Sequence, residues 1–238
     1  MPASDASSTR AFPVVRLAGI SKRYQMGDAV VTALDELSLE MARGSCWAIL
    51  GPSGSGKSTL MNIIGCLDRP DTGQYVLEGV DVATMSDDAL SDMRLRHLGF
   101  VFQSFHLLPR LTVEENIELP MHYLGLDERE TKARAQELAE RVGLADRLRH
   151  RPVELSGGQR QRVAIARSLA NDPALILADE PTGNLDTKTS IQILDLLLRL
   201  NAEGRTVILV THEADIAACA RQRLHLRDGR VERVEGAP

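Results

Sequence analysis

Residues 51–59 read GPSGSGKST, and this stretch limits the chain's possible folds more than any other. It follows the apolar run CWAIL at 46–50 and precedes LMNII at 60–64. Strand, glycine-rich loop and helix in that order, with Gly51-x-x-x-x-Gly56-Lys57-Ser58 spacing, form the P-loop pattern. Successive backbone N–H groups can surround a polyphosphate only where side chains do not intervene. Gly51, Gly54 and Gly56 remove those side chains and permit positive φ, while Pro52, Ser53, Ser55 and Thr59 complete the loop. A helix N-terminus favours anions through its unpaired N–H groups and dipole. Lys57 is the expected contact to the outer phosphates, and the Ser58 hydroxyl the expected Mg²⁺ ligand. A chance glycine-serine turn is the competing reading, and the flanking strand and helix count against it.

Further strands and helices place this loop in an α/β core. Residues 14–20 and 35–42 read as strands, the latter half-buried by its alternation, and 74–82 as a strand pair. Ser86 or Asp87 caps a short helix through His97, and 98–103 (LGFVFQ) is a buried strand. The segment 104–120 is apolar for a loop. Asp127 caps a helix to about Val142, with Glu130 as capping-box partner. A helix begins at Leu155-Ser156-Gly157-Gly158-Gln159 and ends before Pro173. Residues 174–178 (ALILA) and 207–210 are continuous apolar strands, as in a parallel sheet covered on both faces. A helix over 187–201 joins them. The expected organisation is a tail over 1–12 and one domain over 13–238, with a helical subdomain inserted over roughly 100–170. The β-rich segments around the P-loop give an antiparallel flank beside a parallel core sheet.

In open α/β sheets, ligands bind at the carboxyl ends of strands. The P-loop, Gln103, Asp179-Glu180 and His212 each follow an apolar strand. Asp179 is then the expected Mg²⁺ carboxylate, and Glu180 the group that orients or deprotonates the attacking water. An Asp-Glu pair after a strand otherwise reads as a helix cap or turn. His212 reads as a γ-phosphate or water contact, or as a packed core histidine. Gln103 reads as a ligand of Mg²⁺ or of the water. Tyr24 reads as a surface on which adenine stacks, or as packing.

These motifs together resemble the nucleotide-binding subunit of ABC transporters. Tyr24 matches the A-loop, GPSGSGKST Walker A, Gln103 the Q-loop, and LSGGQ at 155–159 the signature. LILADE at 175–180 matches Walker B, NLD at 184–186 the D-loop, and His212 the switch. The phrases MNIIGCLDRPDTG, FQSFHLLPRLTVEENIELP and ADEPTGNLD are similar to the macrolide-export and lipoprotein-release group (MacB, LolD and FtsE types). In the MacB type the ATPase is often fused to a membrane domain. Ending at Pro238 fits either a separate subunit or part of a longer chain. The resemblance implies an ATPase using ATP and Mg²⁺ and a head-to-tail dimer around two ATP molecules. Ser156, Gly157, Gly158, Gln159 and Asp186 would serve the partner's nucleotide. It also implies integral membrane permease subunits, a periplasmic adaptor reached through them, and a location at the cytoplasmic face of the inner membrane. The apolar loop 104–111 is the expected groove for a permease helix.

Composition bears on the partners. The net charge of −5 argues against nucleic acid, whose binding needs a basic face. The basic cluster Arg147, Arg149, His150 and Arg151 reads as solvated surface. Residues 1–12 carry no apolar targeting core, and no run of about 18 apolar residues occurs. Cys46, Cys66 and Cys219 lack metal-ligand spacing and read as reduced thiols of a cytosolic protein. ABC-type ATPases of DNA or ribosomes are the competing class, but neither a coiled-coil insertion nor a second cassette is present. A nucleotide-driven regulatory switch without transport stays open beside the transporter reading.

Overall fold

The computed structural model describes residues 13–236. The expected tail over 1–12 lies outside the described residues. In chain order come β1 (Pro13–Met26), β2 (Ala29–Ala42), β3 (Cys46–Leu50), α1 (Lys57–Ile64), β4 (Thr72–Leu77) and β5 (Val80–Asp81). Next are α2 (Asp87–His97), β6 (Leu98–Phe102), α3 (Val113–Tyr123), α4 (Glu128–Arg141) and α5 (Gly157–Ser168). The chain continues with β7 (Leu175–Asp179), α6 (Thr187–Ala202), β8 (Thr206–Val210), α7 (Ala214–Ala218), β9 (Gln222–Arg227) and β10 (Arg230–Glu235).

Two sheets result. An antiparallel sheet runs β2-β1-β4-β5, and a second runs β10-β9-β3-β8-β7-β6. Strands β3, β8, β7 and β6 pair in parallel, as does β9 with β3, while β10 returns antiparallel to β9. The apolar strands have two cores to fill. Trp47, Ile49, Leu175, Leu177, Ile208 and Val210 face a core shared with α1 and the antiparallel sheet. Cys46, Ala48, Ile176, Ala178, Val207 and Leu209 face the core built with α3 to α7. Alternate side chains therefore enter different cores, so every position must be apolar. Fully burying each such Leu or Ile stabilises the fold by about 1.5–3 kcal/mol.

Several elements differ from the sequence expectation. The first hairpin is longer, because β1 and β2 extend to Met26 and from Ala29 as an exposed ribbon. A bulge near Glu36 (φ 49°) shifts its register. The loop-like 104–120 stretch contains α3. Its start is a capping box: Thr112 Oγ1 accepts from Glu115 N–H (3.2 Å), and Glu115 Oε2 accepts from Thr112 N–H (2.7 Å). Val113, Ile117 and Met121 enter the core at helical spacing. Buried Asn116 ties the preceding loop down. Its amide donates to the carbonyls of Leu108, Leu111 and Thr112 and accepts from Leu108 N–H. On the loop 104–111, the expected permease groove, Leu107 packs against the helical core and Arg160 covers the Phe105 ring at 4.9 Å, while Leu108 stays exposed. At α4 only half the expected box forms, Asp127 accepting from Glu130 N–H at 2.9 Å. The last two strands, absent from the sequence reading, give β3 a second neighbour.

Candidate functional site

The carboxyl ends of β3, β8, β7 and β6 share one edge of the sheet. Each delivers polar residues there: the P-loop after β3, Thr211-His212 after β8, Asp179-Glu180 at β7 and Gln103 after β6.

The P-loop ends in a helix N-terminus without a side-chain cap. Gly56 is the N-cap of α1 at φ 99°, and a Cβ there would lie 2.4 Å from the Ala33 carbonyl oxygen. Backbone conformation and close approach both require glycine. The first-turn N–H groups are left for an anion. Lys57 Nζ donates to the carbonyls of Gly51 (2.7 Å) and Pro52 (2.9 Å), which holds the ammonium over the loop. Ser55 is buried, and its hydroxyl has no hydrogen-bond partner.

The carboxylates lie beside it. Burial and the Glu180 charge raise the Asp179 carboxyl above its ordinary range, against the pull of Lys57. Glu180 sits at φ 44°, and its N–H donates to the Val210 carbonyl at 2.9 Å, pinning it to β8. Its Oε1 meets His212 Nδ1 at 2.6 Å and accepts from His212 N–H at 3.1 Å, while Thr211 Oγ1 donates to Oε2 at 3.2 Å. The hydrogen bond and charge of Glu180 raise the exposed His212 imidazole above its ordinary value. Sequence reasoning assigned no role to Thr211. Its only signal was a hydroxyl closing an otherwise apolar strand.

Gln103 is engaged with the D-loop. Its amide donates to Asn184 Oδ1 (3.4 Å), and Asn184 Nδ2 donates to the Gln103 carbonyl (3.0 Å). Asn184 was read only as part of a motif. Tyr24 stands apart near the turn of the first hairpin, hydrogen-bonded to Asp68.

The signature residues form their own cluster. Ser156 caps α5: Ser156 Oγ accepts from Gln159 N–H (3.3 Å), and Gln159 Oε1 from Ser156 N–H (2.9 Å). A Cβ on Gly158 would lie 2.3 Å from Thr189 Cγ2, and one on Gly157 3.2 Å from Leu185. Packing in this same chain therefore explains Gly158, which a cap alone does not. Asp186 caps α6, accepting from Thr189 N–H (3.0 Å) and Thr189 Oγ1 (2.6 Å).

A family model described as "ABC transporter" matches residues 34–183. The chain belongs to this family. This ABC cassette binds ATP and is an ATPase. It is 53% identical to an uncharacterized ABC transporter ATP-binding protein, YknY, of Bacillus subtilis, covering 92% of this chain and 95% of that one. It is 50% identical to macrolide export ATP-binding/permease protein MacB 2 of Aeromonas hydrophila over 94% of this chain. The chain spans 35% of that relative's length. Among solved structures, the dimeric post-hydrolysis state of the cassette MJ0796 bound to ADP and Pi superimposes with TM-score 0.86. Its identity is 44%, with 93% of this chain and 98% of that one covered.

An apolar groove opens beside this cassette's Q-loop. It holds about 750 Å³ between α2, β6 and α3, and Leu67, Phe100, Phe102, Leu119 and Tyr123 line it. Tyr123 is 73% exposed.

Proposed function

We propose that two copies of this chain close head to tail around two Mg²⁺-ATP and drive separate integral membrane permease subunits. The groove beside Gln103 carries this reading. Apolar concavities with a few polar groups are the usual binding places of a fold, and Phe102 joins this one directly to the residue expected to sense nucleotide. The permease fused to the ATPase in MacB relatives supports a membrane protein as that partner. By analogy with those relatives, the transport is export or lipoprotein extrusion, with a periplasmic adaptor reached through the permease. The cassette then sits at the cytoplasmic face of the inner membrane. No helix among the described residues is long and apolar enough to cross a membrane.

Lys57 and the P-loop N–H groups bind the phosphates, and Tyr24 stacks on adenine. Ser58, Asp179 and Gln103 would hold Mg²⁺. Their hard oxygen donors suit that ion. When bound, the metal neutralises charge on the phosphates. Glu180 takes the proton of the attacking water, with His212 and Thr211 orienting its carboxylate. Ser156, Gly157, Gly158, Gln159 and Asp186 complete the partner's site. The segment from about 100 to 170 moves as a helical subdomain, and residues 13–238 form the ATPase domain.

Two experiments test this reading. Glu180→Gln should slow hydrolysis about 10²–10⁴-fold, the scale of a lost general base. ATP should then hold the variant as a dimer in size-exclusion chromatography; a monomer at saturating ATP would contradict the sandwich. Tyr123→Asp with Leu67→Asp should abolish co-purification with a permease co-expressed from a neighbouring gene, leaving ATP binding intact. Normal assembly would put the docking surface elsewhere. Assembly with ATP-dependent control but no transport would favour the regulatory switch.

A further inference from the structure

Asp68 belongs to none of the nucleotide motifs, yet it joins two side chains of the strand that carries Tyr24. Lys22 and Tyr24 are two residues apart on β1 and so share a face. Asp68 Oδ2 accepts from the Tyr24 O–H at 2.8 Å, and Oδ1 from Lys22 Nζ at 2.7 Å. The Arg69 N–H donates to Oδ1 at 2.7 Å, and Lys22 Nζ also donates to the Arg69 carbonyl at 2.7 Å. Lys22 Nζ lies 5.4 Å from the Tyr24 ring centroid and 3.6 Å from Asp71. A continuous chain therefore runs Tyr24–Asp68–Lys22.

Core packing does little to orient this ring. Tyr24 pairs with Val31 in the protruding hairpin, where Met26, Val30 and Val31 are all exposed. The carboxylate supplies what packing does not. Burial alone would raise the Asp68 carboxyl, but hydrogen bonds from Lys22, Tyr24 and the Arg69 N–H bring it below its ordinary range. It thus stays an acceptor at neutral pH.

We propose that Asp68 is a positioning residue for the base of the nucleotide: it holds Tyr24 and Lys22 so that the ring is already oriented to stack on a purine. This rests on the reading of Tyr24 as the base-stacking side chain. An aromatic ring ordered before binding loses less rotamer freedom when the base arrives.

Equilibrium dissociation constants of the full chain for ATP and for inorganic tripolyphosphate separate the contributions, because tripolyphosphate has no base. Asp68→Ala should weaken ATP about 3- to 10-fold and leave tripolyphosphate unchanged, with the loss appearing in KM rather than kcat. Asp68→Asn, whose amide oxygen can still accept from Tyr24, should recover part of it. Tyr24→Phe keeps the ring and loses the hydroxyl, so it should match Asp68→Ala, and Asp68→Ala in that background should add little. Equal weakening of tripolyphosphate, or a full further loss in the Tyr24→Phe background, would overturn the proposal. Tyr24→Ala tests the underlying reading: losing a stacking platform should weaken ATP about 5- to 100-fold. No change there sinks the stacking reading itself. A loss with Tyr24→Ala but none with Asp68→Ala sinks only the positioning role.

Discussion

The N-termini of α1 and α5 look alike in sequence and differ in physics. Each carries glycines beside serines, before the helix at α1 and in its first turn at α5, and both read as anion sites. At α1 the N-cap is Gly56, no side chain caps the helix, and Lys57 lies over the loop. At α5 the cap is complete within the chain, with Ser156 and Gln159 bonded reciprocally. The glycines differ as well. Gly56 needs a left-handed backbone, whereas Gly158 is helical and is small because Thr189 stands 2.3 Å from where its Cβ would be. One terminus keeps its donors for a ligand. The other has its Ser156 and Gln159 N–H groups bonded within the chain and is packed against the D-loop, so binding to it must add to an existing cap. A glycine in a motif can therefore mark a phosphate cradle or a close helix contact.

Substitutions at each terminus probe this contrast. The largest effect is expected at α1. Lys57→Ala removes a charge-assisted contact worth about 1.5–3 kcal/mol, so ATP affinity should fall about 10- to 100-fold while thermal stability is kept. Equilibrium binding of a fluorescent ATP analogue measures it, and an unchanged affinity would remove the asymmetry between the termini.

At α5 the expected effect is on stability. Gly158→Ala forces a methyl into Thr189 and should cost about 1–3 kcal/mol, the usual range for overpacking, read from urea unfolding. Thr189→Ser deletes Cγ2 but keeps the Oγ1 bond to Asp186, so the double variant should regain most of that loss. Failure of this rescue would mean that Gly158 is required for something other than packing. Gly158→Asp would mix this clash with charge repulsion against a partner's phosphate and is a poorer probe.

Ser156→Ala removes one half of the capping box and should cost about 1 kcal/mol. It should leave ATP binding by the monomer unchanged, unlike Lys57→Ala. A loss of monomer binding would place the signature in the site of its own chain.

The smallest change concerns the Glu180–His212 pair. The raised His212 imidazole should titrate by NMR above 6.5, the ordinary histidine value. The ion pair is present below that midpoint and is lost as pH rises through it. Glu180→Gln should bring the midpoint back towards 6.5, since the hydrogen bond to the Glu180 carboxylate, and after it that group's charge, are the leading causes of the shift. A midpoint unaffected by the substitution would mean that the two groups do not couple in solution.

Much of the site was legible because its residues sit in short contiguous patterns. Lys57, Asp179, Glu180 and His212 were assigned from their place after apolar runs, and the structure gathers these strand ends on one edge. The Asp127 cap was readable because capping is local. Helix α3, the short α7 and the last two strands escaped. In α3 a proline at 120 and an apolar lead-in hide a helix whose start depends on Thr112 and Glu115. The last hairpin, β9–β10, carries so many arginines and glutamates that it lacks the apolar run of a central strand.

The sequence by itself determined the chemistry of the phosphate loop, the parallel core and the family. Each rests on local spacing: side-chain-free N–H groups, continuous apolar strands, and polar residues where strands end. Only the tertiary structure decided what touches what across long separations. It bonded Asp68 to Tyr24, set Thr189 against Gly158, packed Leu107 of the apolar loop 104–111 against the helical core, and opened a groove at Leu67, Phe100 and Tyr123. The physical reason is that such contacts depend on how elements pack, and one chain pattern admits several packings until the cores are filled.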